Sequence, residues 1–279
     1  MRTQSLEGKT ALVAGASRSL GRHIARKFAE AGAKLVLPWF DWPDSVAEMV
    51  EEFSQKGYDF LDYQCDLRKL DEVRCLAEKA CEKFGSISYL INNIERGGMP
   101  IVHGSYALPH NQEQWQLEVD STLKAKWNLY TCFKNLLQNN SGGAVVNISS
   151  MAGETGRSGP GALFFNDAYA AANRAVRLFT ETWARECAPD VRVNEVVLGL
   201  VESRHGPRTR GWETMTSEEQ EMLRQRPLLE RFGTEQEVAD LVWFLAVEAS
   251  YMTGSVVAMD GGYQLGGDRV PPYPPGILC

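Results

Sequence analysis

Several things are missing from this 279-residue chain, and each absence removes a class of function. There is no Cys-x-x-Cys pair. The six cysteines (Cys65, Cys75, Cys81, Cys132, Cys187 and Cys279) are irregularly spaced. That argues against a disulfide framework or a zinc ribbon, and for reduced, mostly buried thiols in a cytoplasmic protein. The four histidines, His23, His103, His110 and His205, form no i, i+4 helical pair, so no metal site is expected. A basic excess is also missing: 29 Lys and Arg face 36 Asp and Glu, a net charge of -7. Nucleic acid and anionic membrane are therefore not expected as partners, although a local basic pocket for an acidic ligand remains compatible. No apolar run approaches the roughly 20 residues of a membrane span. The polar first ten residues lead straight into a strand, with no leader pattern.

What the chain has is alternation. Short buried runs at 10–15, 34–37, 58–65, 89–92, 143–148, 191–197 and 255–259 read as strands. Between them lie helical patterns: Leu20, Ile24 and Phe28 at period four, then Val46, Met49, Val50 and Phe53, then Val73, Leu76, Ala77 and Ala80. A long amphipathic segment covers 113–137, and another helix runs through Tyr169 and Phe179. Thr234-x-x-Glu237 is a capping box opening a helix that buries Val238, Leu241, Val242 and Leu245. Repeated βα units predict an α/β fold: a doubly wound, Rossmann-type parallel sheet of seven strands with helices on both faces. No linker divides residues 1–279, so one domain is expected. Two segments leave the rhythm, an excursion over 204–232 and a tail over 270–279 whose four prolines bar regular structure.

The turn Gly15-Ala16-Ser17-Arg18-Ser19-Leu20-Gly21 joins the first strand to the first helix. Such a turn offers backbone N–H groups and a helix N-terminus to a pyrophosphate. Further motifs follow in order: Asp66-Leu67, Asn92-Asn93-Ile94-Glu95, Asn147-Ile148-Ser149-Ser150-Met151-Ala152-Gly153, Tyr169-Ala170-Ala171-Ala172-Asn173, Arg192-Val193-Asn194, Leu198-Gly199, Tyr251-Met252-Thr253-Gly254 and Asp260-Gly261-Gly262. In this order, over roughly residues 5 to 265, they resemble the short-chain dehydrogenase/reductase family. The resemblance implies hydride transfer between an alcohol or carbonyl and NAD or NADP. It implies that Tyr169 is the acid/base and that Ser150 positions the substrate oxygen. It also implies a cofactor cradle of Gly15, Ser17, Arg18, Ser19, Leu20, Gly21, Asp66, Leu67 and Asn93.

The departures from the family pattern gather at the chemistry. Asn173 stands where the family has the lysine that binds ribose and lowers the tyrosine pKa, and Thr122 stands where it has the asparagine of a proton relay. Tyrosine titrates near 10, and a neighbouring cation lowers that by ~1–3, so losing the cation costs roughly ten- to thousandfold in tyrosinate. Asn173 can still bond a ribose, but it brings no charge; Arg174 lies about 100° further round the helix. Ser19 replaces the middle glycine of the cofactor turn, where its hydroxyl is a candidate phosphate donor. Trp39 replaces the aspartate that takes the ribose hydroxyls in NAD-preferring members, with Asp41 two residues on, while Arg18 mildly favours NADP. Ile94 and Glu95 replace small residues. A glutamate ~5 Å from a pyrophosphate costs about 1–3 kcal/mol.

Weaker signals surround these. Arg204 to Arg210 occupy the family's substrate-lid position, where arginines suit a carboxylate or a coenzyme A phosphate; a solvated charged loop is the plainer reading. Residues 153–167 carry extra glycine-rich sequence beside the site. Trp115, Trp127, Trp183 and Trp243 fall at helical positions expected to be core, whereas Trp39 and Trp42, with Phe40 and Pro43, are expected to block the adenosine pocket or form an interface. Two functional readings follow. One is a non-catalytic subunit that pairs with an active paralogue, as in heteromeric hydroxyacyl-coenzyme A dehydrogenases of this family. The other is a working oxidoreductase that uses Tyr169 and Ser150 with Asn173 on the ribose. A pocket used without nicotinamide, or for ligand sensing, is the remaining class.

Overall fold

In the computed structural model, residues 4–97, 99–139, 142–203 and 210–266 are described. Most of the lid segment, the proline-rich tail and Cys279 lie outside them. Seven parallel strands form one sheet in the order β3-β2-β1-β4-β5-β6-β7. They are β1 Thr10–Val13, β2 Lys34–Trp39, β3 Phe60–Gln64, β4 Tyr89–Asn92, β5 Gly143–Ser150, β6 Val191–Leu198 and β7 Val256–Met259. The expected doubly wound sheet is therefore present, with boundaries shifted by a few residues. The central strands β1, β4 and β5 are buried along their whole length, whereas the edges β3 and β7 are partly open. That is why the central strands read as short, mainly apolar runs, with polar residues gathered towards the carboxyl ends of β4 and β5.

The principal helices are α1 Ser19–Glu30, α2 Pro43–Gln55 and α3 Leu70–Phe84; then, after a four-residue α4 (Pro100–His103), α5 Gln114–Val119 and α6 Ala125–Gln138. Between α5 and α6 the chain widens into a π-helical turn, Asp120–Lys124, which contains Thr122. A short α7 (Ala152–Thr155) precedes the long α8 (Asp167–Cys187), followed by α9 Ser217–Gln225 and α10 Glu235–Trp243. Helices α1, α2 and α10 bury Ile24, Phe28, Met49, Phe53, Val238 and Val242 on one face of the sheet. Helices α3, α6 and α8 bury Val73, Leu76, Leu129, Phe133 and Trp183 on the other. The predicted capping box is made: Thr234 Oγ1 accepts from the Glu237 amide at 3.2 Å, and Glu237 accepts from the Thr234 amide at 2.8 Å. Thr216 and Glu219 make a second one on α9.

Two expectations need correction. Trp183 and Trp243 are core, but Trp115 and Trp127 are 46% and 42% exposed. A 3.6-residue period places a residue on a stripe without saying what covers that stripe. The described cysteines are all free, yet only Cys65 and Cys187 are buried; Cys75 and Cys81 are exposed. The strand order reverses between β1 and β4, and in open parallel sheets the carboxyl ends at such a point form a ligand crevice. The glycine turn after β1 and the Asn93–Gly97 turn after β4 both open there.

Candidate active site

The glycine turn is built for close backbone packing. A Cβ on Gly15 would lie 2.3 Å from the Asn93 carbonyl oxygen, and one on Gly21 would lie 2.1 Å from the Gly15 carbonyl oxygen. Ser19 keeps the left-handed conformation a glycine would adopt, with φ of 52°. For a residue with a Cβ this costs roughly 1–2 kcal/mol. Its hydroxyl does not point at a phosphate site. It donates to Glu235 Oε1 at 2.6 Å, and the other Glu235 oxygen lies 3.3 Å from His23 Nδ1. The serine that replaces glycine thus ties the turn to α10 and brings a carboxylate beside it.

From this turn an open cleft of about 540 Å³ extends over the carboxyl ends of β2 and β3. Gly15, Ser17, Arg18, Ser19, Leu20 and Gly21 line it, with Asp66, Leu67 and Asn93, so the expected cofactor residues come together. Trp39, Phe40 and Trp42 form a wall of the cleft without filling it. The Arg18 guanidinium stacks 3.6 Å from the Trp42 ring centre. Arg68 lies 5.2 Å from the Phe40 ring and grips Asp66 with two bonds of 2.8 Å. Burial works against ionising Asp66, but the bonds from Arg68 outweigh it and hold the carboxyl below its usual range. Arg96, His103 and Arg210 line the same cleft.

The other end is closed. Ser150 ends β5, while Tyr169 and Asn173 stand one turn apart on α8. Where Ser150, Tyr169, Asn93 and Glu95 meet, only about 30 Å³ remains, lined also by Phe165 and Ser149. That is room for no more than ~2 water molecules. Tyr169 is 1% exposed and donates its phenolic hydrogen to Glu95 Oε2 at 2.5 Å. Its ring stacks against Phe165, from the 153–167 segment, with centres 5.9 Å apart. Asn173 donates from Nδ2 to the Tyr169 carbonyl at 3.0 Å, and its buried Oδ1 has no partner among the described residues. Arg174 pairs with Glu154, away from the site.

Three buried charged groups escaped the sequence reading. Lys126, on α6, is 0% exposed; its Nζ donates to the Ile94 carbonyl and, at 3.0 Å, to the Thr122 carbonyl. Burial lowers its pKa to about 8, against the opposing pull of Glu95 and Glu195. Glu118 accepts from Tyr106 Oη at 2.6 Å and from the Tyr169 amide at 3.0 Å, capping α8 from α5. Burial raises its carboxyl above the usual range, and does the same for Glu195, which accepts from Ser149 Oγ at 2.5 Å. The available signal was spacing: Lys126 lies four residues from Thr122 and three before Leu129, on the inward stripe of an amphipathic segment.

Residues 15–264 match the family described as Enoyl-(Acyl carrier protein) reductase. The chain is 28% identical to glucose 1-dehydrogenase 2 of Bacillus subtilis, covering 94% of this chain and 97% of that one. It is 30% identical to the 3-oxoacyl-[acyl-carrier-protein] reductase FabG of Staphylococcus aureus, covering 91% and 97%. This chain belongs to the short-chain dehydrogenase/reductase family. It is thus a member of an oxidoreductase family. Among solved structures, a Serratia marcescens short-chain dehydrogenase/reductase variant superposes with a TM-score of 0.80 at 23% identity, covering 94% of this chain and all of that one. A blue fluorescent protein from a metagenomic library, solved in complex with NADPH, superposes with a TM-score of 0.77 at 25% identity, covering 93% and 99%.

The residues present fit half of such a dinucleotide. The glycine turn and aromatic wall leave room for adenosine and pyrophosphate, whereas Asn173 is buried and lines neither part of the cleft. The nicotinamide end does not fit, because Glu95 occupies the Tyr169 hydroxyl and the remaining space holds no ring. No described helix is long and apolar enough to cross a membrane.

Proposed function

We propose that this chain is a non-catalytic short-chain dehydrogenase/reductase subunit. Its role is to pair with an active paralogue in a heteromeric NAD(P)-dependent alcohol or hydroxyacyl dehydrogenase. 2-[Hydroxy(phenyl)methyl]succinyl-CoA dehydrogenase is an assembly of that type. The observation that carries the reading is the 2.5 Å bond from Tyr169 to Glu95 at the closed end of the cleft. While its proton is donated to the half-buried Glu95 carboxylate, the Tyr169 hydroxyl has none to give to a substrate oxygen. Asn173 and Thr122 supply no cation in compensation. The exposed Trp115, Trp127 and Leu178, on α5, α6 and α8, offer apolar surface for a partner subunit. The test is co-expression with an intact family member from the same source. The expected result is a stoichiometric complex in which only the intact chain binds NADH or NADPH by calorimetry. Micromolar dinucleotide binding, or turnover, by this chain alone would sink the reading.

One observation favours an active oxidoreductase instead: Lys126 restores a buried cation near the site, from a different helix than expected. That reading requires turnover of the purified chain with NAD(H) or NADP(H), abolished by Tyr169→Phe. The substrates are alcohols, carbonyls or their acyl-coenzyme A derivatives.

A further inference from the structure

The turn that carries Glu95 is pinned on both sides of that residue by one stretch of helix. On one side, the Lys126 ammonium donates to the carbonyl of Ile94 and to that of Thr122. On the other, the Arg96 amide donates to Thr122 Oγ1 at 3.3 Å. The Ile94 side chain packs into the apolar cluster under α3, α6 and α8. Glu95 is left with its carboxylate on the Tyr169 hydroxyl. The pinning residue Thr122 sits in the π-helical turn. The turn widens the helix there, and the Thr122 carbonyl accepts from the Lys126 ammonium one turn further on.

We infer that Lys126, Thr122 and Glu95 form a latch that holds a carboxylate on Tyr169 and keeps a nicotinamide-bearing dinucleotide out of the inner end of the cleft. The inference rests on the reading of this chain as non-catalytic and supplies its physical cause. Replacements that look like separate losses in the sequence (Ile94, Glu95 and Thr122) then belong to one construction with Lys126. The electrostatics agree with the geometry. A fully buried ammonium needs an anion in reach, and Glu95 and Glu195 both raise its proton affinity. The groups facing it are Glu95 from the β4 turn and Glu195 from β6. Lys126 and Thr122 are positioning residues, since they act through Glu95.

The experiment is dinucleotide binding by the full chain, read by calorimetry and by nicotinamide fluorescence with NADH and with NADPH. Three variants are compared: Glu95→Gly, Lys126→Met and Thr122→Val. The unaltered chain shows no saturable binding. Glu95→Gly gains affinity by roughly tenfold or more, and Lys126→Met and Thr122→Val gain smaller but measurable amounts. A purely structural role would lower stability in the last two variants without any gain in binding. If Lys126→Met does not fold, Thr122→Val reads the same latch. The inference is overturned if Glu95→Gly binds no better than the unaltered chain. It is equally overturned if Glu95→Gly binds and neither helix variant does. Binding by the unaltered chain is a different result: it overturns the non-catalytic reading itself.

Discussion

The two ends of the cleft have opposite characters. At the outer end, the glycine turn, the aromatic wall and Asp66 enclose an open volume of about 540 Å³. At the inner end, Ser150, Tyr169 and Glu95 enclose about 30 Å³. Both lie at the carboxyl ends of the same sheet, so the scaffold does not explain the difference. The side chains do. At the outer end, substitutions added bulk to the rim: Trp39 and Trp42 stand along the wall, and Ser19 turns its hydroxyl away to Glu235. At the inner end, Glu95 sets a carboxylate on the Tyr169 hydroxyl and Lys126 lies beneath the turn that carries it. The two ends can differ on one scaffold because they are lined by different turns.

Three measurements bear on this contrast, the largest expected effect first. Lys126 belongs to the closed end. Its folded pKa of about 8 lies below the ordinary lysine value of 10.5, so between those values the unfolded chain binds the extra proton. Stability from this group therefore rises with pH through that window and is lost as pH falls below about 8. The full span amounts to at most about 3 kcal/mol. Chemical denaturation of the unaltered chain and of Lys126→Met at several pH values isolates it from other titrations, such as that of Cys65, which burial pushes up to about 12. Parallel curves for the two proteins would mean that Lys126 is not the strained cation described here.

Gly21→Ala probes the open end. Its Cβ meets the Gly15 carbonyl at 2.1 Å, and the turn must move to admit it. A loss of roughly 1–3 kcal/mol is expected in thermal or urea unfolding. An unchanged midpoint would show that the cradle is looser than its geometry. The smallest effect is expected from Trp42→Ala, which removes an exposed ring stacked on Arg18. It should cost about 0.5–1 kcal/mol, and a larger loss would make the aromatic wall part of the core.

Legibility in the sequence followed the range of the interaction. All seven strands could be read, because buried parallel strands are short apolar runs between helical periods. The box at Thr234 and Glu237 could be read because its partners are three residues apart. The turn from Gly15 to Gly21 was recognisable for the same reason. The partner of Ser19 was not, since Glu235 lies 216 residues away in the chain. Glu95 was anticipated as a misfit near phosphate; that it points at Tyr169, 74 residues on, depends on how β4 and α8 meet. Lys126 was passed over because a lysine in an amphipathic segment is ordinarily at its wet edge. The exposed Trp115 and Trp127 are the converse case.

The cap on α8 gives the molecule a short mechanical route from surface to centre. Trp115, open to solvent, meets the Tyr106 ring edge-on at 5.4 Å; Tyr106 donates to Glu118 at 2.6 Å; Glu118 accepts from the amide of Tyr169 at 3.0 Å. Three contacts therefore separate an exposed indole from the backbone of the residue on which the chemistry of this family turns.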